Sequence, residues 1–207
     1  MAGRFISLEG GEGVGKSTQA RRLAAALRAR GLDVVETREP GGSEGAEAIR
    51  RLLLEGADDR WSAPAEALLF AAARADHVAK TIKPAVAAGK WVLCDRYLDS
   101  SIAYQGGADG LGEEAIRTLH AIGSGGYLPD RTLLLSLPVS TASSRQFFRD
   151  EGKGDRFDSR GSGFHERVSA TFLDLAGREP ERFRVVDAGG SEDAVTDRLI
   201  AALADLF

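Results

Sequence analysis

Phe5-Ile-Ser-Leu-Glu-Gly10-Gly-Glu-Gly-Val-Gly-Lys-Ser17, followed by Thr18-Gln-Ala-Arg-Arg-Leu-Ala-Ala-Ala-Leu27, is the stretch on which the fold turns. Phe5 to Leu8 reads as a short strand. From Lys16 to Arg30, Ala20, Leu23, Ala24 and Leu27 recur at helical spacing until Gly31 ends the run. Between them, Gly10 to Ser17 matches G-x-x-x-x-G-K-[ST] in the strand–loop–helix setting that this pattern requires. Glycines let successive backbone N–H groups turn inward, and the helix N-terminus adds positive potential, so a polyphosphate can be wrapped by backbone alone. Lys16 then reaches the β- and γ-phosphates, Ser17 offers a hydroxyl to Mg²⁺, and Thr18 bonds a further phosphate oxygen.

Working outward, the pattern repeats. Asp33 to Thr37 is a second strand, and a helix runs from Ser43, whose hydroxyl can cap it, to Leu54. A long helix starts near Pro64 and reaches about Val86, disturbed at its end by Pro84; Gly89 stops it. Trp91 to Cys94, Thr132 to Leu137 and Phe183 to Asp187 complete five short strands. Helices are expected over Asp99–Tyr104, Glu113–Ile122, Val139–Asp150, His165–Ala176 and Asp193–Leu206, with a polar loop over Glu151–Gly163. Strands alternating with helices predict an α/β fold with a five-stranded parallel sheet covered on both faces. With 207 residues and neither repeat nor linker, one domain over 1–207 is expected.

Composition narrows the partners. Lys plus Arg total 27 against 31 Asp plus Glu, leaving no broad basic field for nucleic acid. No apolar run approaches the roughly 20 residues of a membrane span, and the first ten residues do not read as a signal peptide, so the cytoplasm is expected. The single cysteine, Cys94, excludes an internal disulfide and any cysteine-based metal cluster, and reads as a small buried residue. His77, His120 and His165 lack the spacing of a metal site or a nucleophile triad and read as structural or exposed.

The phosphate loop alone leaves GTPases, motors, transporters and small-molecule kinases open. The guanine-reading Asn-Lys-x-Asp is absent, since Gly152 precedes Lys153-Gly-Asp155, and the length leaves little room for motor or transporter domains. Arg38-Glu39-Pro40-Gly41-Gly42 closes the second strand and Asp95-Arg96-Tyr97 the third, where ligands of open α/β sheets bind. Arg96 is a planar fork suited to two phosphate oxygens, Arg38 assists it, and Asp95 suits Mg²⁺ or its water shell. Phe70 and Arg74, four apart on one helix, are neighbours on one face; from the residues alone Phe70 reads as core and Arg74 as a surface charge, though such a pair can also stack on a base and bond its edge.

The loop, Arg38-Glu-Pro-Gly-Gly, Asp95-Arg96-Tyr97 and Ala103-Tyr-Gln-Gly106, in this order, resemble the thymidylate kinases, a resemblance that runs from Phe5 to about Leu206. It implies a nucleoside monophosphate kinase fold with a mobile lid, here about 149–163, and ATP-dependent phosphorylation of dTMP to dTDP with Mg²⁺. Another nucleoside monophosphate or deoxynucleoside kinase is the rival enzyme, and a non-catalytic nucleotide-gated binding protein the rival from another class. By resemblance, Gly10, Gly11, Glu12, Gly13, Val14, Gly15, Lys16, Ser17, Thr18 and Arg145 hold ATP, Arg145 stacking on the adenine beside the Asp187-Ala-Gly-Gly-Ser191 loop. Glu12 meets the acceptor 3′-hydroxyl. Glu39, Pro40, Ser100, Ser101 and Gln105 join Arg38, Phe70, Arg74 and Arg96 around dTMP, and the ring of Tyr104 crowds carbon 2 of the sugar. No Arg stands among the variable loop positions, and the resemblance then implies a catalytic cation carried by the lid, Arg149 and Arg156 being favoured over Lys153 and Arg160. Ser17 and Asp95 are the metal candidates. The resemblance also implies a homodimer formed through the helix that carries Phe70 and Ala71 to Val78.

Overall fold

The computed structural model describes residues 2–56, 60–138, 141 and 160–207. Its centre is one five-stranded parallel sheet built from β1 (Arg4–Glu9), β2 (Val34–Arg38), β3 (Trp91–Asp95), β4 (Arg131–Ser136) and β5 (Phe183–Asp187), in the spatial order β2-β3-β1-β4-β5. β1 lies between β3 and β4, with Leu8 beside Asp95 on one side and Leu133 on the other. The carboxyl ends of β1 and β3 therefore meet at the middle of one sheet edge, where a strand order that departs from the sequence order opens a crevice.

Successive strand residues serve opposite faces, which explains why the strands read as unbroken apolar runs. Phe5, Val92, Cys94, Leu134 and Phe183 join one core layer. It is covered by α3 (Ala63–His77), α5 (Leu98–Ser101), α6 (Glu113–Ser124) and α7 (Ser162–Arg178). Ile6, Leu8, Leu93, Leu133, Leu135 and Val186 face the other layer, under α1 (Lys16–Ala29) and α8 (Glu192–Ala201). Burying each large side chain contributes about 1.5–3 kcal/mol before entropy is counted, so the two layers clamp the sheet and the crevice above it. Cys94 is buried, as its setting in an apolar strand requires.

Ser43 caps α2 (Glu44–Leu54) by accepting from the Ala46 N–H, as read from its position. The long helix begins with Pro64 in its first turn and then passes through a π turn, Val78–Ile82, before α4 (Lys83–Ala87). α5 likewise runs into π-helical turns over Ile102–Ala108. Two expectations need correction. α7 starts at Ser162, so the predicted polar loop does not extend to Gly163, and the last helix stops at Ala201, with Ala204–Leu206 forming a separate 3₁₀ turn. Nearly all of the predicted helix Val139–Asp150 and most of the predicted lid lie outside the described residues.

Candidate active site

The phosphate loop takes the shape its glycines were read to permit. Gly10, Gly13 and Gly15 have positive φ, and a Cβ on Gly10 would stand 2.5 Å from the Leu135 carbonyl oxygen, so this strand-to-loop turn has no room for a side chain. Lys16, 7% exposed, donates from Nζ to the Gly11 carbonyl at 2.6 Å, bridging the loop from within. Burial, and after it the charge of Arg96, pulls its pKa down to about 8, against the opposing pull of Glu12, Asp95 and Glu9. The ammonium is thus still mainly charged at neutral pH while being poorly solvated, ready for a phosphate oxygen.

At the head of α1, the exposed Ser17 hydroxyl donates to Asp95 Oδ2 at 2.6 Å. The predicted metal pair is therefore assembled from β3 and the phosphate loop. Two hard oxygen donors on an open face suit a Mg²⁺ that keeps most of its water and shares the rest with phosphate. Among the described residues no group of three or more His, Cys, Asp and Glu side chains is placed to hold a metal ion.

Beside the loop opens a cavity whose space, open solvent at its mouth included, is about 600 Å³. Glu12, Glu39, Pro40, Phe70, Arg74, Arg96, Ser100, Ser101, Tyr104 and Gln105 all line it, ten predicted residues drawn from separate elements. Arg38 does not: its exposed guanidinium bonds Glu47 at 3.1 and 3.2 Å. Arg74 is neither a surface charge nor loose. At 3% exposure it donates through Nε to Glu39 (2.7 Å) and through Nη2 to Ser101 (2.8 Å) and the Tyr97 carbonyl (3.3 Å). Phe70 is half-buried at the cavity wall, packed on the core rather than within it. Gln105 donates to the buried Glu66 at 2.9 Å.

Arg96 has a φ of 68°, the single non-glycine in the left-handed region among the described residues. Such strain persists where surrounding contacts over-determine it, and it is concentrated at functional sites. Here the contacts are explicit: Nη1 donates to the Gly10 carbonyl (3.1 Å) and Ser100 (3.0 Å), while Nη2 donates to Glu12 and to the Tyr104 hydroxyl (3.2 Å). Tyr104 in turn donates to Glu12 at 2.8 Å, and its ring lies 5.1 Å below the guanidinium. Glu12 thereby meets the donors that an acid inside a phosphate loop needs. Burial pushes its pKa up, but Arg96 and then Lys16 outweigh that and hold it at about 2.

Three residues earlier the balance reverses. Glu9, fully buried at the end of β1, accepts from the Tyr97 N–H (2.7 Å) and the Ser100 hydroxyl (2.6 Å), yet burial and the nearby Asp99 raise its pKa to about 7. Sequence reasoning passed over Glu9, although an acid ending an apolar strand was the available signal. It also passed over Arg50, which lines the cavity and bonds the Pro40 carbonyl at 2.7 Å, and over any role for Tyr97. His77 was read as structural or exposed. It is fully buried and lies 3.0 Å from Glu39.

On the opposite flank of the loop a second cavity, open to solvent, is lined by Gly13, Val14, Gly15, Thr18, Ala188 and Gly190, so the segment after β5 does stand beside the phosphate loop. Arg145, Arg149, Lys153 and Arg156 lie outside the described residues; Arg160 pairs with Asp109 at 2.5 Å.

Two cavities thus flank one phosphate loop, one of them lined by Arg74 and Arg96. The thymidylate kinase family model matches residues 8–199. The chain is 73% identical over 207 residues to the thymidylate kinase of Rhizorhabdus wittichii, covering all of both chains. It is 52% identical over 204 residues to that of Caulobacter vibrioides, covering 99% of this chain and 95% of the relative. The crystal structure of thymidylate kinase from Ehrlichia chaffeensis superposes with a TM-score of 0.79 at 31% identity, over 98% of this chain and 100% of that one. The likeness spans both cavities, the loop between them and the sheet that carries them, and the chain belongs to the thymidylate kinase family.

Proposed function

We propose that the chain phosphorylates dTMP to dTDP with ATP, dTMP entering the cavity lined by Phe70, Arg74 and Arg96 and ATP the flank lined by Gly13, Thr18 and Gly190. The observation that carries this reading is Arg96, whose left-handed backbone sets a half-buried guanidinium between the phosphate loop and the acceptor cavity. A phosphate oxygen of dTMP attacks the γ-phosphorus of ATP; that P–O bond forms as the bond to the ADP oxygen breaks, and no enzyme group is covalently modified. A phosphate is already nucleophilic at neutral pH, so no strong base is needed, and catalysis consists of alignment and charge neutralisation.

Each residue then has a task. Lys16 holds the donor phosphates and Arg96 the acceptor phosphate. Glu12, released from Arg96 by that phosphate, accepts from the 3′-hydroxyl, and Tyr104 fills the space a ribose 2′-hydroxyl would need. Phe70 stacks on thymine while Arg74 and Gln105 read its edge. When bound, Mg²⁺ would be held by Ser17 and Asp95 and would neutralise charge on the donor phosphates. Arg145 packs on the adenine, and Arg149 and Arg156 bring further positive charge to the transferring group. As a second layer of the same reading, the chain works as a cytoplasmic homodimer. No helix among the described residues is long and apolar enough to cross a membrane.

A coupled assay of ADP release with dTMP, dUMP, UMP, CMP and thymidine tests the whole reading. Fast turnover with dTMP, slower with dUMP, and little with UMP, CMP or thymidine is expected. Turnover of thymidine equal to that of dTMP would overturn the role of Arg96, and equal use of UMP that of Tyr104.

A further inference from the structure

Beneath the acceptor cavity Arg74 is backed by a row of polar groups, two of which, Thr37 and His77, the proposed chemistry does not itself use. Thr37 is on β2, Glu39 follows that strand, and Arg74 and His77 are on α3. The Thr37 hydroxyl lies 2.7 Å from His77 Nε2, and His77 Nδ1 lies 3.0 Å from Glu39 Oε1. The other Glu39 oxygen accepts from Arg74 Nε at 2.7 Å. His77 is fully buried, and Glu39 and Arg74 are nearly so. The loop is shaped around this row: a Cβ on Gly42, whose φ is +84°, would stand 2.3 Å from both His77 Nε2 and Thr37 Oγ1. Thr81 also donates to the Gly42 carbonyl at 2.7 Å, closing the row from the π turn.

The directions of the hydrogen bonds follow from the groups. A carboxylate offers only acceptors, so His77 Nδ1 carries the proton toward Glu39, and in the neutral ring Nε2 accepts from the Thr37 hydroxyl. The Glu39 carboxylate is thus held at both oxygens, by an imidazole below and a guanidinium above. Arg74 is fixed in turn through Nε and Nη2, leaving Nη1 with no hydrogen bond to the described residues in a side chain that lines the cavity.

We infer that His77 is a positioning residue for base selection: through Glu39 it fixes the guanidinium plane of Arg74, so that an N–H of fixed direction meets a pyrimidine carrying an oxygen acceptor at its 4-position and rejects one carrying an amino group there. This rests on the reading of Arg74 as the base-edge contact. Arg has only donors, thymine presents an oxygen at that position and cytosine an amine, so the direction of one N–H separates the two bases. A guanidinium free to tilt would bond ring carbonyls common to both.

The test measures kcat/KM for dTMP and dCMP, and KM for ATP, in His77→Leu, His77→Gln, Arg74→Ala and the double variant His77→Leu/Arg74→Ala. His77→Leu is expected to lower the dTMP-to-dCMP ratio about tenfold and to leave KM for ATP within about twofold. His77→Gln, whose amide can donate to Glu39 and accept from Thr37, should recover most of the ratio. In the Arg74→Ala background His77→Leu should change the ratio no further, because the two act as one unit. If His77→Leu fails to fold, Thr37→Val, which loosens only the outer end of the row, should still lower the ratio about twofold to threefold. An unchanged ratio in the His77 and Thr37 variants, or additive losses in the double variant, would overturn the positioning role while leaving Arg74 as the base contact. A ratio unaffected by Arg74→Ala itself would overturn the base-edge reading, and His77 with it.

Discussion

The phosphate loop and the acceptor cavity meet at Arg96, yet they are built from different materials. The loop is contiguous, Gly10 to Ser17, and presents backbone N–H groups with a single cation, Lys16. The cavity is assembled from residues between Glu12 and Gln105 and presents buried charged side chains, each held by another. A backbone site needs only glycines at the right places, because its donors are already oriented by the strand and helix it joins. A side-chain site pays desolvation for every charge and stays rigid only through pairing. Damage to the loop should therefore strike chemistry, and damage to the cavity should strike the choice and affinity of one substrate.

The sharpest way to break this contrast is Lys16→Ala, which should lower single-turnover phosphoryl transfer about 10³-fold or more. A rate within a factor of two of wild type would show that the loop works by backbone alone. Next in size is Arg96→Ala. It strips Glu12 of its counter-charge as well as the acceptor phosphate of its fork, so kcat/KM for dTMP should fall by about 2–5 kcal/mol, with ATP affinity measured calorimetrically nearly unchanged. Equal losses for both nucleotides would merge the two regions into one. Phe70→Ala and Arg74→Ala should cost about 1–3 kcal/mol in dTMP binding and leave KM for ATP in place.

The finest probe is pH, because Glu9 and Glu12 are shifted in opposite directions from the ordinary carboxylate value of 4.5. Glu9 has its folded pKa raised to about 7, so its contribution to stability is fully present below pH 4.5 and is lost as pH rises through 7. Wild type should lose stability relative to Glu9→Gln across that window. Glu12 is lowered to about 2, so its contribution is present above pH 4.5 and is lost as pH falls toward 2, and wild type should lose stability relative to Glu12→Gln there. Each difference should not exceed about 1.4 kcal/mol per pH unit, and urea unfolding of the three proteins at fixed pH values measures it. Parallel slopes for the two variants would show that burial, not the Arg96 pair, governs both acids.

What could be read from residues alone divides along the same line. The sheet, its five strands and the phosphate loop follow from local periodicity and one contiguous motif. The acceptor residues do not: Phe70 and Arg74 read equally well as core and surface until their neighbours were supplied by resemblance. Glu9 bonds Ser100 across 91 positions and His77 bonds Glu39 across 38, and no window of sequence holds both partners. Helix limits also differ from the periodicity, as at Ser162. Arg38 illustrates the converse: it stands in the right motif but bonds Glu47 instead.

The Arg96–Glu12 contact has a consequence for entry into the cavity. The guanidinium holds an anion in the absence of substrate, so on the proposed reading binding of dTMP is an exchange of ligands in which carboxylate leaves as phosphate enters. A free ion must outcompete a carboxylate that is tethered to the loop and braced by Tyr104, and a lone inorganic phosphate has no base or sugar with which to do so. On that reading a resident competitor favours a complete nucleotide over the loose anions around it.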